Sequence, residues 1–144
     1  MSEAGATPLP PFMPGVFGVA ADGGAELLGS HCTRCARSHF PAAALCPACL
    51  APTQPRSLGS RGRLYSYTVV RTKPPLGLPA PYAVGYVDLD EGGLRIFALL
   101  DAAEPQRLQI GAALQLHVAP LGHDGHGKDC LRPLFRPLPA GARA

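Results

Sequence analysis

An apolar run of the ~20 residues needed to cross a bilayer as a helix is missing from this chain. No membrane span is therefore expected. A basic stretch ahead of an apolar one is missing too: Met1 to Gly24 holds no Lys or Arg and is broken by Pro8, Pro10, Pro11 and Pro14. That segment does not read as a secretory signal, and a soluble, cytoplasmic protein is expected. Lysine is confined to Lys73 and Lys128, and charged residues make up only 16% of the chain, which is thin for a surface that tracks phosphates. Patterns for a helix longer than a turn or two are absent, whereas 17 Gly and 17 Pro in 144 residues demand frequent turns. Strands are the expected regular element, in one domain or in a small domain joined to a compact second one.

Acidic residues are missing from Leu27 to Val87, a stretch that carries Arg34, Arg37, Arg56, Arg61, Arg63, Arg71 and Lys73. Between Asp88 and Asp129 seven acids face Arg95, Arg107 and Lys128. A basic front suits nucleic acid, the phosphates of a nucleotide-like cofactor or an acidic protein surface. Plainly solvated arginines are the alternative, and composition does not choose.

What is present begins with cysteine. Cys32-x-x-Cys35 and Cys46-x-x-Cys49 form two pairs separated by ten residues. A two-residue spacer lets both thiolates of a knuckle turn toward one point, and a second knuckle completes a tetrahedral cage. Zinc suits four thiolates because it is redox-inert and has no d-electron preference for another geometry, although iron occupies similar cages. Such a cage has no open position and supports folding, not catalysis. His31 and His39 are expected beside the cage or at the surface, and Arg34 and Arg37 to offset its charge. Cys130, opening an apolar strand, is expected in the core. A pairing with His123 or His126 would be needed to make it a nucleophile. The run from His123 to His126 reads as a solvated hairpin loop. No Ser/His/Asp set, phosphate-binding glycine loop or dinucleotide motif is present.

Along the chain, residues 1–24 read as an arm with a short helix over Val16 to Ala21, stopped by Asp22-Gly23-Gly24. Residues 25–55 read as the zinc ribbon, ending in a linker from Ala51 to Pro55 in which two prolines exclude regular structure. Residues 56–144 read as a five-stranded barrel with a C-terminal tail. Its strands are expected over Leu64 to Val70, Tyr82 to Leu89, Leu94 to Leu100, Ala113 to Ala119 and Cys130 to Pro137. A stiff proline loop, Pro74 to Pro81, separates the first two. Five strands suit a closed OB-fold, and an open sandwich is the alternative.

Leu28 to Pro137 resembles the DUF35 family, a rubredoxin-like zinc ribbon followed by an acyl-CoA-associated OB-fold. The likeness is carried by Leu28 to Cys32, Cys35, Phe40-Pro41, Cys46-Pro47-x-Cys49, Gly62 to Val70, Pro81-Tyr82, Val87-x-Leu89, Gly111 and Phe135-Arg136-Pro137. Many relatives have Gly after the second cysteine and a Pro-Arg pair after Phe-Pro; this chain has Ala36 and Ala42-Ala43. The resemblance implies a non-catalytic subunit of a thiolase-superfamily enzyme, a thiolase or thiolase-like aldolase, assembled as a hetero-oligomer with acyl-CoA in the complex. Arg63, Tyr65, Arg71, Lys73 and Tyr82 are the expected contacts to the partner or to acyl-CoA. A nucleic-acid-binding protein and a subunit of a MaoC-type enoyl-CoA hydratase are the rival expectations.

Overall fold

The computed structural model describes residues 9–101 and 108–139. Among them nine strands form, β1 (Phe17–Val19), β2 (Ala25–His31), β3 (Ser38–His39), β4 (Gln54–Ser57), β5 (Arg61–Val70), β6 (Tyr82–Leu89), β7 (Arg95–Leu100), β8 (Ala113–His123) and β9 (Asp129–Pro137). None of the described residues is helical.

Alternation explains the barrel strands. In β6, Ala83, Gly85, Val87 and Leu89 turn inward while Tyr82, Val84, Tyr86 and Asp88 turn out, the two-residue period of a half-buried strand. Strands β5 to β9 close in the order β5-β6-β7-β9-β8, with β7 and β9 parallel and the other pairs antiparallel. This five-stranded closed barrel is the expected OB-fold. Its interior is filled by Leu64, Val87, Leu89, Ile96, Leu100, Leu114, Leu116 and Phe135.

Two expectations on the N-terminal side are corrected. Val16 to Ala21 is not helical: Phe17–Val19 is an extended strand paired with Ala25–Leu27. Gly18 and Val19 favour that conformation over a helical one, and the turn at Asp22 to Gly24 folds the segment back as a hairpin. The stretch from Ala51 to Pro55 is not an unstructured linker either. Pro52 bridges Leu45, and Pro55 lies in β4 opposite Ser30. Strand β4 pairs with β2 alone, and at such an edge a proline without an N–H is tolerated.

The ribbon and the barrel share one core. Leu27, in β2, and Leu58, just after β4, are 2% and 0% exposed and belong to the same apolar cluster as the barrel residues. Backbone hydrogen bonds run from the Leu58 N–H to the Leu27 carbonyl and from the Leu27 N–H to the Gly59 carbonyl. Gly29 allows the close approach: a Cβ there would lie 2.4 Å from the His39 carbonyl oxygen and 2.6 Å from Leu58 Cδ1.

Candidate functional site

Two similar turns build the metal cage. The Ala36 N–H donates to the Cys32 carbonyl and the Leu50 N–H to the Cys46 carbonyl, at 2.8 and 2.7 Å. Each turn closes with the residue after its second cysteine in the left-handed region, Ala36 at φ 63° and Leu50 at φ 64°. Strand β2 delivers the first turn, and the Leu45–Pro52 bridge closes the second. A side-chain network ties them together: the Ala43 N–H donates to Ser30 Oγ, Arg56 Nη1 donates to Ser38 Oγ, and His31 Nδ1 lies 3.2 Å from the same hydroxyl.

The four sulfurs converge. Cys32 lies 3.5 Å from Cys49, Cys35 lies 3.5 Å from Cys46, and all four ligand atoms fall within 4.8 Å of one another. A tetrahedron with Zn–S bonds of about 2.3 Å has edges of about 3.8 Å, so the cage has the size for one zinc and no room for a fifth ligand. His39 contributes from beside it, with Nε2 3.3 Å from Cys46 Sγ. Arg34 and Arg37 are exposed.

Without metal the thiols divide into two kinds. The N–H of Cys35, with the Cys49 thiol and the Arg34 N–H, holds Cys32 down to about 7 against burial. Burial works to raise Cys46, but the N–H groups of Cys49 and Ala48 and the His39 ring outweigh it and bring it to about 7. Burial, with the Cys46 and Cys32 sulfurs beside it, pushes Cys35 up to about 12. At Cys49 the Ala51 N–H favours the thiolate, yet burial and the Cys32 and Cys46 sulfurs win and raise it. A dication at the centre reverses this, because it favours all four thiolates.

Cys130 lies outside the cage. It is fully buried, with its sulfur 3.3 Å from Arg132 Nη1 and no histidine among its hydrogen-bond partners. Within the loop, the His126 and Lys128 N–H groups donate to Asp124 Oδ1, which orders the hairpin.

The five residues expected to contact partner or acyl-CoA fall into two groups. Arg63 and Tyr65 lie on the first half of β5, while Arg71 and Lys73 follow its far end, next to Tyr82 at the start of β6. A strand rise of ~3.3 Å per residue separates Arg63 from Arg71 by about 25 Å. Tyr65 stands at the β-bulge between Leu64 and Ser66, and the Arg95 guanidinium stacks 3.3 Å from its ring centroid. Arg95 also grips Asp88, through Nε at 2.6 Å and Nη2 at 3.1 Å, and holds that carboxyl below the usual carboxylate range. Arg63, Asp88 and Arg95 form one row across β5, β6 and β7. Arg95, Tyr86 and Phe97 are not among the residues expected from the sequence to make contacts. Tyr86 and Phe97 are 45% and 60% exposed and meet edge to face, with centroids 5.4 Å apart. Alternation along β6 and β7 turns both outward, and that was the signal available for them.

Comparisons with known proteins agree with this architecture. Residues 22–53 match the family model described as ChsH2, rubredoxin-like zinc ribbon domain, and residues 56–119 match ChsH2, C-terminal OB-fold domain. The chain is 33% identical to the benzoylsuccinyl-CoA thiolase subunit BbsA of Thauera aromatica over 88% of each chain. It is 31% identical to a DUF35 domain-containing scaffold protein of Methanothermobacter thermautotrophicus, over 69% of this chain and 79% of that one. Among solved structures it is similar to a chain of the Ltp2-ChsH2(DUF35) aldolase, with a TM-score of 0.62 and 27% identity, covering 78% of this chain and 84% of that one. With ribbon, cage and barrel present in that order, the chain belongs to the DUF35 family.

Proposed function

We propose that this chain is a non-catalytic subunit that docks on a thiolase-superfamily enzyme and supports its acyl-CoA chemistry, with the reactive groups supplied by the partner. The observation that carries this is the near-full-length likeness to a thiolase subunit, through both the ribbon and the barrel. The chemistry of the cage supports it: zinc held by Cys32, Cys35, Cys46 and Cys49 has no position left for substrate. Its part is to lock β2, β3 and β4 together and so set the ribbon against the barrel.

Acyl-CoA contact belongs to the assembled complex in this proposal. Arg71, Lys73 and Tyr82 stand beside the proline loop Pro74 to Pro81, and Arg63 and Tyr65 at the other end of β5. The exposed rings Tyr65, Tyr86 and Phe97 on a barrel sheet are the observation that favours nucleic acid instead, since bases stack on such platforms. Against that rival, Asp88 stands in the middle of the row and occupies Arg95. Assaying the isolated, zinc-loaded chain with acyl-CoA thioesters tests the division of labour. No thiolysis, aldol cleavage or hydration is expected, and turnover by the chain alone overturns it.

A further inference from the structure

An apolar cavity of about 490 Å³ opens along the seam between β7 and β9. That seam is the weak point of the barrel, because among the described residues the two strands are in register only at Leu100 and Phe135, with the Asp101 N–H donating to the Phe135 carbonyl beside them. The segment before β1 straps across it. Pro11 bridges Leu131, the Phe12 N–H donates to the Leu131 carbonyl at 2.8 Å, and the Leu131 N–H donates to the Pro10 carbonyl at 2.8 Å. Phe12 and Met13 of the strap, Phe40 of the ribbon, Leu78 of the proline loop, and Ala98 and Leu99 of β7 line the space.

One wall carries a charge. Arg132 on β9 is 5% exposed and lines the same cavity. Its Nη1 donates to the Leu121 carbonyl at 2.8 Å and to Cys130 Sγ at 3.3 Å, its Nη2 donates to the His123 carbonyl at 3.1 Å, and its Cζ lies 5.3 Å from the Phe12 ring centroid. None of these partners is a carboxylate. Among the described residues no carboxylate pairs with Arg132, and its Nε makes no hydrogen bond. Asp124, the carboxylate on the cavity wall, is held through Oδ1 by the N–H groups of His126 and Lys128. A buried guanidinium without a counter-charge is costly, and an anion reaching it from the cavity removes that cost.

We propose that this cavity binds a small monocarboxylate with an apolar body, the carboxylate at Arg132 and the carbon body against Phe12, Phe40 and Leu99. The volume lies within the ~300–1,000 Å³ common for small-molecule sites, and the lining has their usual composition, apolar with a few polar groups. The proposal goes beyond the subunit role and depends on neither a partner nor coenzyme A.

The test uses the full, zinc-loaded chain with 4-phenylbutyrate and its uncharged analogue 4-phenylbutanol, followed by amide chemical shifts. Saturable binding of the acid is expected, with shifts centred on Phe12, Ala98 and Gly125, and the alcohol should bind about tenfold or more weakly, as a lost charge-assisted hydrogen bond dictates. In Arg132→Met the acid should bind no better than the alcohol. Because Arg132 also holds the Leu121 and His123 carbonyls, loss of fold in that variant is guarded against by the unmodified comparison and by Ala98→Leu, which narrows the cavity and should weaken both ligands. Equal binding of acid and alcohol by the unmodified chain, no saturable binding of the acid, or shifts away from the cavity overturns the proposal.

Discussion

Ala36 and Leu50 hold the same backbone conformation for the same reason: each turns the chain after a metal-binding pair while its own N–H reaches the carbonyl four residues back. For a residue with a Cβ the left-handed region costs about 1–2 kcal/mol, and glycine returns part of the gain as unfolded-state entropy. Ala36→Gly is therefore expected to stabilise the zinc-loaded chain by about 0.5–1 kcal/mol, read as a higher denaturation midpoint in urea. An unchanged or lower midpoint contradicts the turn geometry. The thiols make a second residue-scale statement. With Cys35 and Cys49 raised and Cys32 and Cys46 near 7, the metal-free cage at neutral pH keeps most of its protons. Zinc binding at pH 7 should therefore release about three protons per ion, measured by calorimetry in buffers of different ionisation enthalpy. Protons compete with zinc for the thiolates, so affinity rises with pH; as pH falls, the zinc-dependent part of the stability already declines above pH 7, where Cys35 and Cys49 hold protons, and drops more steeply below 7 as Cys32 and Cys46 protonate. Release of one proton or none would refute this picture of the cage.

At the scale of elements, β2 connects everything. It delivers Cys32 just past its end, pairs with β1, β3 and β4, and sends Leu27 into the barrel core beside Leu58. Leu58→Ala is expected to cost about 3 kcal/mol and to lower zinc retention during dialysis against a chelator, since the ribbon that carries the cage and the barrel share that side chain. A loss of barrel stability with unchanged zinc retention would show two independent units. Strands such as β6 were legible because burial on one face imposes a period of two that the residue types display directly. Strand β4 was not, because Pro55 signals a loop unless the paired edge is known, and nothing local announces that β2 offers one. Strand β1 was misread as a helical turn for a related reason: three residues carry no period, and their pairing with Ala25–Leu27 decides them. Strand β8 runs past Ala119 to His123 through an irregular register at Pro120. The four cysteines could be read as a cage from spacing alone, whereas the Tyr65–Arg95–Asp88 cluster and the cavity at Arg132 needed the register of β5 to β9.

Across the whole molecule, the basic front and the acidic back become neighbours. Strand β5, from the basic half, lies between β6 and β8, so Arg63 faces Asp88, whose own partner is Arg95. This pairing tempers the single-sign field that nucleic-acid binding would need. The exposed surface also carries large apolar and aromatic side chains, including Tyr65, Tyr86, Phe97 and Ile110, of the kind that a protein partner covers. The most direct measurement is gel filtration of the native chain at moderate salt, with the co-eluting proteins identified by mass spectrometry. A salt-resistant complex with a protein of the thiolase superfamily is expected, carrying acyl-CoA activity that the chain alone lacks. Elution without such a partner, with salt-sensitive binding of single-stranded nucleic acid, would contradict it.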